Sequence, residues 1–213
     1  MSFKEKKSSK LNYLIRIPDN IDNLEKVKVI FFMHGYGDSM KGISQIGNLL
    51  NPDNVHVFFN APFKMNISFG VEGYRWFEFP SNDNEFKFSQ QSINESISEI
   101  LGDLKFNIDG IYIGGFSQGG MMTLHNNYGE KVDGLIILGS QLFYENKEFN
   151  LNKQTKIFMS HGTYDSVIPI ESSTRSLNFL IEKDFNVYYK EYPIGHEISL
   201  DQINELNNWI DKN

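Results

Sequence analysis

The stretch Gly110-Ile111-Tyr112-Ile113-Gly114-Gly115-Phe116-Ser117-Gln118-Gly119-Gly120 is compatible with few folds. An apolar, β-branched run breaks abruptly into glycines, so a strand must end here in a sharp turn that carries Ser117. A serine on a tight strand-to-helix turn needs neighbours without side chains two positions to either side. Gly115 and Gly119 supply that clearance, and such a turn pushes the hydroxyl out above the strand ends. Ser117 is therefore the first candidate nucleophile. In isolation it is also an ordinary serine in a glycine-rich turn, and the rest of the chain has to decide.

Short apolar runs alternate with helix-period segments along the chain, the signal of a mostly parallel sheet covered by helices on both faces. Strands are expected at Leu11 to Ile17, Val27 to Met33, Val55 to Phe59, Ile111 to Ile113, Leu135 to Leu138, Lys156 to Ser160 and Asn186 to Tyr192. Val27-Lys28-Val29-Ile30-Phe31-Phe32-Met33 is almost continuously apolar, as a strand buried on both faces must be. Helices are expected at Gly42 to Leu50, Ser89 to Phe106, Ile170 to Ile181 and Ser199 to Ile210. In the second of these Ile93, Ile97, Ile100, Leu101 and Leu104 recur at the spacing of an apolar helix face. Residues 62–78 read as an irregular segment rich in apolar side chains. The 213 residues, 40% of them hydrophobic, suit one domain over 1–213, with no insertion large enough for a separate cap.

Composition narrows the chemistry. A formal net charge of −7, carried by scattered acidic residues, argues against nucleic acid or an anionic membrane as partner. The absence of cysteine removes disulfides, thiolate ligands and a cysteine nucleophile. The N-terminus has no apolar run behind its charges, and no segment is apolar over a membrane-spanning length, which gives an expectation of a cytoplasmic protein without a transmembrane segment. No phosphate-binding loop, dinucleotide fingerprint or His-x-x-x-His spacing occurs, so neither a cofactor nor a metal is expected.

A serine nucleophile requires a base, an orienting carboxylate and donors for an oxyanion. His161-Gly162-Thr163-Tyr164-Asp165 follows one predicted strand, and Pro193-Ile194-Gly195-His196 ends the next. The order Ser117, Asp165, His196 is that of the α/β-hydrolase fold. Asp165 could also cap the helix after Pro169, but the chain order demands an acid at this place, which favours the triad reading. His196 is the one histidine beyond the acid. His161 reads as a strand-end residue bonded to backbone, His34 as a brace for its own loop, and His56 and His125 as structural or exposed. Met33-His34-Gly35-Tyr36-Gly37-Asp38 closes the strand that should face the elbow, and the backbone N–H groups of Tyr36 and Gln118 are the candidate oxyanion donors.

Taken together, Gly115 to Gly120, His34 to Asp38, His161 to Pro169, Gly195-His196-Glu197 and Gly73-Tyr74-Arg75-Trp76-Phe77 resemble the small α/β-hydrolase carboxylesterases that include the acyl-protein thioesterases. The resemblance covers the whole chain. It implies an α/β-hydrolase fold with a mostly parallel central sheet, and a triad of Ser117, Asp165 and His196. It further implies an oxyanion hole from Tyr36 and Gln118, and Trp76 on the wall of an acyl pocket. Phe69 and Leu142 join Trp76 as candidate substrate contacts; Phe69 and Phe77 read equally well as core. The implied substrate is an acyl ester or thioester, with an acylated protein or a lysophospholipid among the options, and the implied assembly is a monomer or homodimer. The turn Leu138-Gly139-Ser140-Gln141-Leu142-Phe143 and Glu78 depart from the usual pattern of the family. Another serine hydrolase (lipase, lactonase or peptidase) is the nearest alternative. A non-catalytic protein on the same scaffold is a further one, against which the intact triad argues.

Overall fold

The computed structural model describes residues 2–79, 82–128, 132–143 and 151–213. In chain order the elements are β1 (Lys4–Lys7), β2 (Asn12–Arg16), β3 (Val27–Met33), α1 (Met40–Ile43), β4 (Val55–Phe59), β5 (Phe63–Ser68), β6 (Val71–Arg75), α2 (Asp83–Asp103), β7 (Ile108–Phe116), α3 (Gln118–Leu124), β8 (Gly134–Leu138), β9 (Lys156–Gly162), α4 (Ile170–Glu182), β10 (Val187–Tyr192) and α5 (Leu200–Lys212). Eight strands form one sheet in the order β1-β2-β4-β3-β7-β8-β9-β10, and β5 pairs only with β6. From β4 to β10 every pairing in the large sheet is parallel, while β1–β2 and β2–β4 are antiparallel.

The alternation of side chains along buried strands divides the interior into two cores. Val27, Val29, Phe31 and Met33 of β3 face one side, where they meet Ile93, Ile97 and Ile100 of α2, Met121 and Met122 of α3 and Leu180 of α4. Ile30 and Phe32 face the other side and meet Met40 and Ile43 of α1 and Ile203, Leu206 and Trp209 of α5. With both faces covered, β3 has no polar face, which explains its continuous apolar run. The strand order reverses direction between β3 and β7, and a crevice at the carboxyl ends of strands opens where such a reversal occurs. The loops after β3 and β7 carry the residues singled out above.

Local chemistry moves some boundaries from their expected places. α2 starts at Asp83 because the Asn82 side chain accepts from the N–H groups of Asn84 and Glu85, with Asp83 and Glu85 in the first turn. It ends at Asp103 because Leu104 is extended, so Phe106 lies beyond the helix. The expected helix at Gly42 to Leu50 is instead a single turn at Met40–Ile43, capped by Ser39, followed by a 3-10 segment at Ser44–Asn48. Residues 62–78 are not irregular: β5 and β6 form a hairpin that turns at Gly70, whose φ is +77°. β1, all polar, is a strand because it pairs with β2, with Lys4 opposite Ile15. Among the described residues no helix is long and apolar enough to cross a membrane.

One buried polar cluster sets an acid limit on stability. On β2 and β4, Arg16 and His56 are register partners, and Arg16 donates to His56 Nδ1 at 2.6 Å and to Gly47 O at 2.6 Å. Burial, and then the Arg16 charge, hold the His56 pKa down to about 3. Burial likewise lowers that of His34 to about 4. Both folded values lie below the unfolded value near 6.5, so between these limits the unfolded chain binds more protons. Stability is therefore fully present above about pH 6.5 and is lost as pH falls toward 4, at about 1.4 kcal/mol per pH unit for each histidine. Urea midpoints measured across this window should fall with acidification. His56→Asn, which keeps an acceptor for Arg16 and does not titrate, should make the decline shallower; an unchanged slope would show that His56 is not a source of it.

Candidate active site

β7 delivers Ser117 on a backbone that L-residues rarely adopt, with φ 53° and ψ −118°. Its surroundings hold it there. Ser117 N donates to Leu138 O at the end of β8 (3.0 Å), and Ser117 O accepts from Ser140 Oγ (2.7 Å) and from Met121 N (3.1 Å). The flanking glycines are required by contact as well as by conformation. A Cβ on Gly115 would lie 2.2 Å from the Gly119 carbonyl carbon, and one on Gly119 would lie 2.3 Å from Met33 O. α3 thus presses its first turn directly against the end of β3.

That contact sets the position of the loop after β3. A Cβ on Gly35 would meet Ser117 Cβ at 3.3 Å, so the two chains touch there, and the next residue on each side is a candidate oxyanion donor, Tyr36 and Gln118. Neither of those backbone N–H groups has a hydrogen-bond partner among the described residues. The loop is held from below by His34. Its Nε2 accepts from Ala61 N (3.0 Å), so its Nδ1 carries the hydrogen and donates to Gly35 O (2.7 Å). The loop is also stitched to β6: Gly37 N donates to Tyr74 O and Tyr74 N to Asp38 O, each at 2.9 Å. Gly73 permits this approach, since a Cβ there would lie 2.1 Å from Gly37 O. Burial raises the Asp38 pKa, partly offset by the N–H of Ser39.

On the other side of Ser117, β9 and β10 bring the candidate acid and the candidate base together. Thr163 N donates to Tyr192 O (2.8 Å) and Tyr164 N to Ile194 O (3.0 Å), which fastens the turn after β9 to the loop after β10. Asp165 Oδ1 accepts from Val167 N (2.9 Å) and Ile168 N (2.8 Å), so Asp165 holds its own turn and not the helix after Pro169, which starts without a side-chain cap. Its second oxygen remains for the imidazole. Asp165 Oδ2 lies 2.7 Å from His196 Nδ1, and His196 Nε2 lies 2.9 Å from Ser117 Oγ. The carboxylate side chain is fully buried, while the imidazole keeps 17% of its side-chain surface exposed. Facing a carboxylate, Nδ1 carries the hydrogen, which leaves the Nε2 lone pair for the serine hydroxyl.

Of the other histidines, His161 Nε2 is bonded to Ile168 O, His125 Nε2 accepts from Phe143 N, and His56 is buried against Arg16. The three candidate substrate contacts are placed elsewhere than expected. Trp76 has no exposed surface; its indole N–H donates to His34 O (2.9 Å), and its ring packs on that imidazole at 5.4 Å between centroids. It braces the loop after β3 from beneath, and presents nothing to a substrate. Phe69 stands fully in solvent at the tip of the β5–β6 hairpin, because the two-residue turn points its side chain away from the body. Leu142 is buried in the core beneath α4, where its N–H donates to Ser176 Oγ at 2.8 Å. The aromatic surface beside Tyr36 comes instead from Phe79, 42% exposed and 5.6 Å from the half-exposed Tyr36 ring.

Two contributors escaped the sequence reading. The Phe116 ring lies 4.7 Å from the His196 ring, tilted by 37°, and so backs the imidazole; its place next to Ser117 in the glycine motif was the available signal. The Gln118 side chain accepts from Trp76 N (2.9 Å) and donates to Phe77 O (2.8 Å), which ties the helix after the elbow to the segment after β6. A polar residue at the first position of an otherwise apolar helix was the signal there.

Among curated proteins, the chain is similar to acyl-protein thioesterase 1 of Kluyveromyces lactis, at 30% identity over 86% of this chain and 91% of that protein. It is also similar to acyl-protein thioesterase 1 of Mycosarcoma maydis, at 28% identity over 86% and 90%. Among solved structures, a carboxylesterase from Mesorhizobium loti superposes with a TM-score of 0.78 at 15% identity, covering 99% of both chains. Arabidopsis thaliana SOBER1 superposes with a TM-score of 0.71 at 23% identity, covering 87% of this chain and 98% of that one. These neighbours share the α/β-hydrolase fold described above. The family model for phospholipases and carboxylesterases matches residues 21–213, and the chain belongs to that family.

Proposed function

We propose that the protein is a serine hydrolase that cleaves carboxylic acyl esters or thioesters through an acyl-enzyme. The observation that carries this reading is the unbroken line from Asp165 Oδ2 through His196 to Ser117 Oγ, at 2.7 and 2.9 Å, beside two backbone N–H groups that have no hydrogen-bond partner among the described residues. Ser117 Oγ attacks the acyl carbonyl carbon as His196 Nε2 takes its proton. The tetrahedral oxyanion receives hydrogen bonds from Tyr36 N and Gln118 N, donors already fixed in place before reaction. His196 passes the proton to the departing alcohol or thiol, and the collapse leaves the acyl group on Ser117. Water, deprotonated by the same imidazole, then attacks the ester and releases the acid. Asp165 stays ionised throughout, holding the useful tautomer and offsetting the imidazolium charge. Every group required belongs to this chain.

The substrate class draws on the family and on relatives named as acyl-protein thioesterases and carboxylesterases. The half-exposed rings of Tyr36 and Phe79 give an acyl chain apolar surface beside the oxyanion loop. Each methylene that packs there adds up to ~0.8 kcal/mol of binding. kcat/KM across esters of increasing acyl length should therefore rise until the surface is covered. Phe79→Ala should flatten that rise more than it lowers the rate on an acetate ester; an equal loss on both would place the acyl chain elsewhere.

Ser117→Ala should abolish ester turnover and covalent labelling by a fluorophosphonate while the unfolding temperature stays near that of the parent, since the side chain supplies chemistry and little packing. Labelling that survives would transfer the nucleophile to another residue. Asp165→Asn should keep the turn, because Oδ1 still accepts from Val167 and Ile168. It also sets an amide N–H against His196 Nδ1, which forces the wrong tautomer and should lower kcat by up to about 10⁴. Unimpaired turnover would remove Asp165 from the triad.

A further inference from the structure

The reaction as drawn leaves out one buried imidazole that touches it. His161 closes β9 with no exposed surface, and its Nε2 lies 2.8 Å from Ile168 O and 3.3 Å from Asp165 Oδ2. A carbonyl oxygen only accepts, so Nε2 must carry the hydrogen. Nδ1 is buried and has no hydrogen-bond partner among the described residues. All of the hydrogen bonding of this ring is thus concentrated at one atom, and that atom faces the acid and the turn that presents it.

These contacts form a closed circuit. Ile168 N donates to Asp165 Oδ1 at 2.8 Å, while Ile168 O receives the His161 N–H. The imidazole therefore grips the residue that grips the carboxylate. The two oxygens of Asp165 are then accounted for in full. Oδ1 is held by two backbone N–H groups, and Oδ2 lies between His196 Nδ1 at 2.7 Å and His161 Nε2 at 3.3 Å. A carboxylate held only at Oδ1 can still swing its second oxygen. An N–H dipole 3.3 Å from Oδ2 opposes that swing.

We infer that His161 is a positioning residue of the hydrolytic site: its Nε2–H fixes the Asp165 turn and the direction in which Oδ2 meets His196. The inference rests on the reading of Ser117, His196 and Asp165 as the triad. His161 acts only through Asp165, so its loss misaligns the base without touching the acyl chain. Misplacement of about 1 Å in such an array costs on the order of 10²-fold in rate.

Geometry supplies the test. The side-chain amide of glutamine reaches the place of Nε2, whereas that of asparagine reaches only the place of Nδ1. His161→Leu and His161→Asn should lower kcat roughly 10- to 100-fold with KM little changed, and His161→Gln should restore most of the loss. In a double-mutant cycle read by the rate of fluorophosphonate labelling, His161→Leu should cost far less in an Asp165→Asn background than in the parent. Turnover by Ser117→Ala, measured first, separates the two layers: if it persists, the triad reading falls and this inference with it. With Ser117→Ala inactive, three results overturn the inference alone. These are equal turnover of the Gln and Asn variants, full additivity with Asp165→Asn, and failure of all three His161 variants to fold, which would make the ring a packing element. If only the Leu variant fails to fold, the comparison of Gln with Asn decides.

Discussion

The site depends on a seam where backbone meets backbone without side chains between. Gly119 at the start of α3 lies against the carbonyl groups of Met33 and His34 at the end of β3, so close that a single methyl group would overlap them. Because of that approach, Ser117 and Gly35 touch, and the amides that follow each of them leave the seam from adjacent points. Electrostatic stabilisation of a developing oxyanion requires donors whose positions are set before the reaction begins. For the donors proposed here, Tyr36 N and Gln118 N, the positions are set by the spacing of the two strands that flank the reversal in the sheet. Gly115 and Gly120, which allow the turn to close on itself and on Ser140, serve the same seam.

Around it, several buried polar groups act as fasteners between loops that secondary structure alone would leave loose. The Gln118 amide ties α3 to the backbone of Trp76 and Phe77, Trp76 in turn ties to His34 O, and His34 ties to Ala61 at the end of β4. These links run under the loop after β3 and join it to α3, to the segment after β6 and to the segment after β4. Each member is fully or almost fully buried and its cited side-chain hydrogen bonds are short, as buried polar groups must be if they are to stabilise a fold. Trp76 illustrates the consequence: its large ring supplies packing, and its one N–H sets the height of the loop.

Much of this was legible in the sequence, and the exceptions have identifiable causes. The continuous apolar runs of β3 and β8, the helical spacing in α2 and α5, and the order of serine, acid and histidine follow from rules of local patterning. The strict alternation Phe63-Lys64-Met65-Asn66-Ile67-Ser68 was an available strand signal, masked by the number of aromatic residues around it. β1 carried no signal, because four polar residues become a strand only through the partner beside them. The placement of Trp76, Phe69 and Leu142 was illegible for a different reason. An apolar residue near a site fills the core or faces the substrate according to which way a loop turns, and composition does not encode that direction. For Asp165 the competing cap of the helix after Pro169 does not form: one carboxylate oxygen holds its own turn at Val167 and Ile168, and the other faces His196, a division between two oxygens that sequence alone does not encode.

The strained conformation of Ser117 bears on when during synthesis the chain acquires reactivity. A positive φ at a non-glycine residue costs on the order of 1–3 kcal/mol and persists only where neighbours overrule it. The neighbours that do so, Leu138 O and Ser140 Oγ, come after the elbow in the chain, and the imidazole comes later still. A nascent polypeptide that has just emitted the glycine motif thus holds the letters of the proposed nucleophile but not its shape. On the triad proposed above, the hydroxyl lacks its base until the loop after β10 has docked, which would withhold acylation from the incomplete chain.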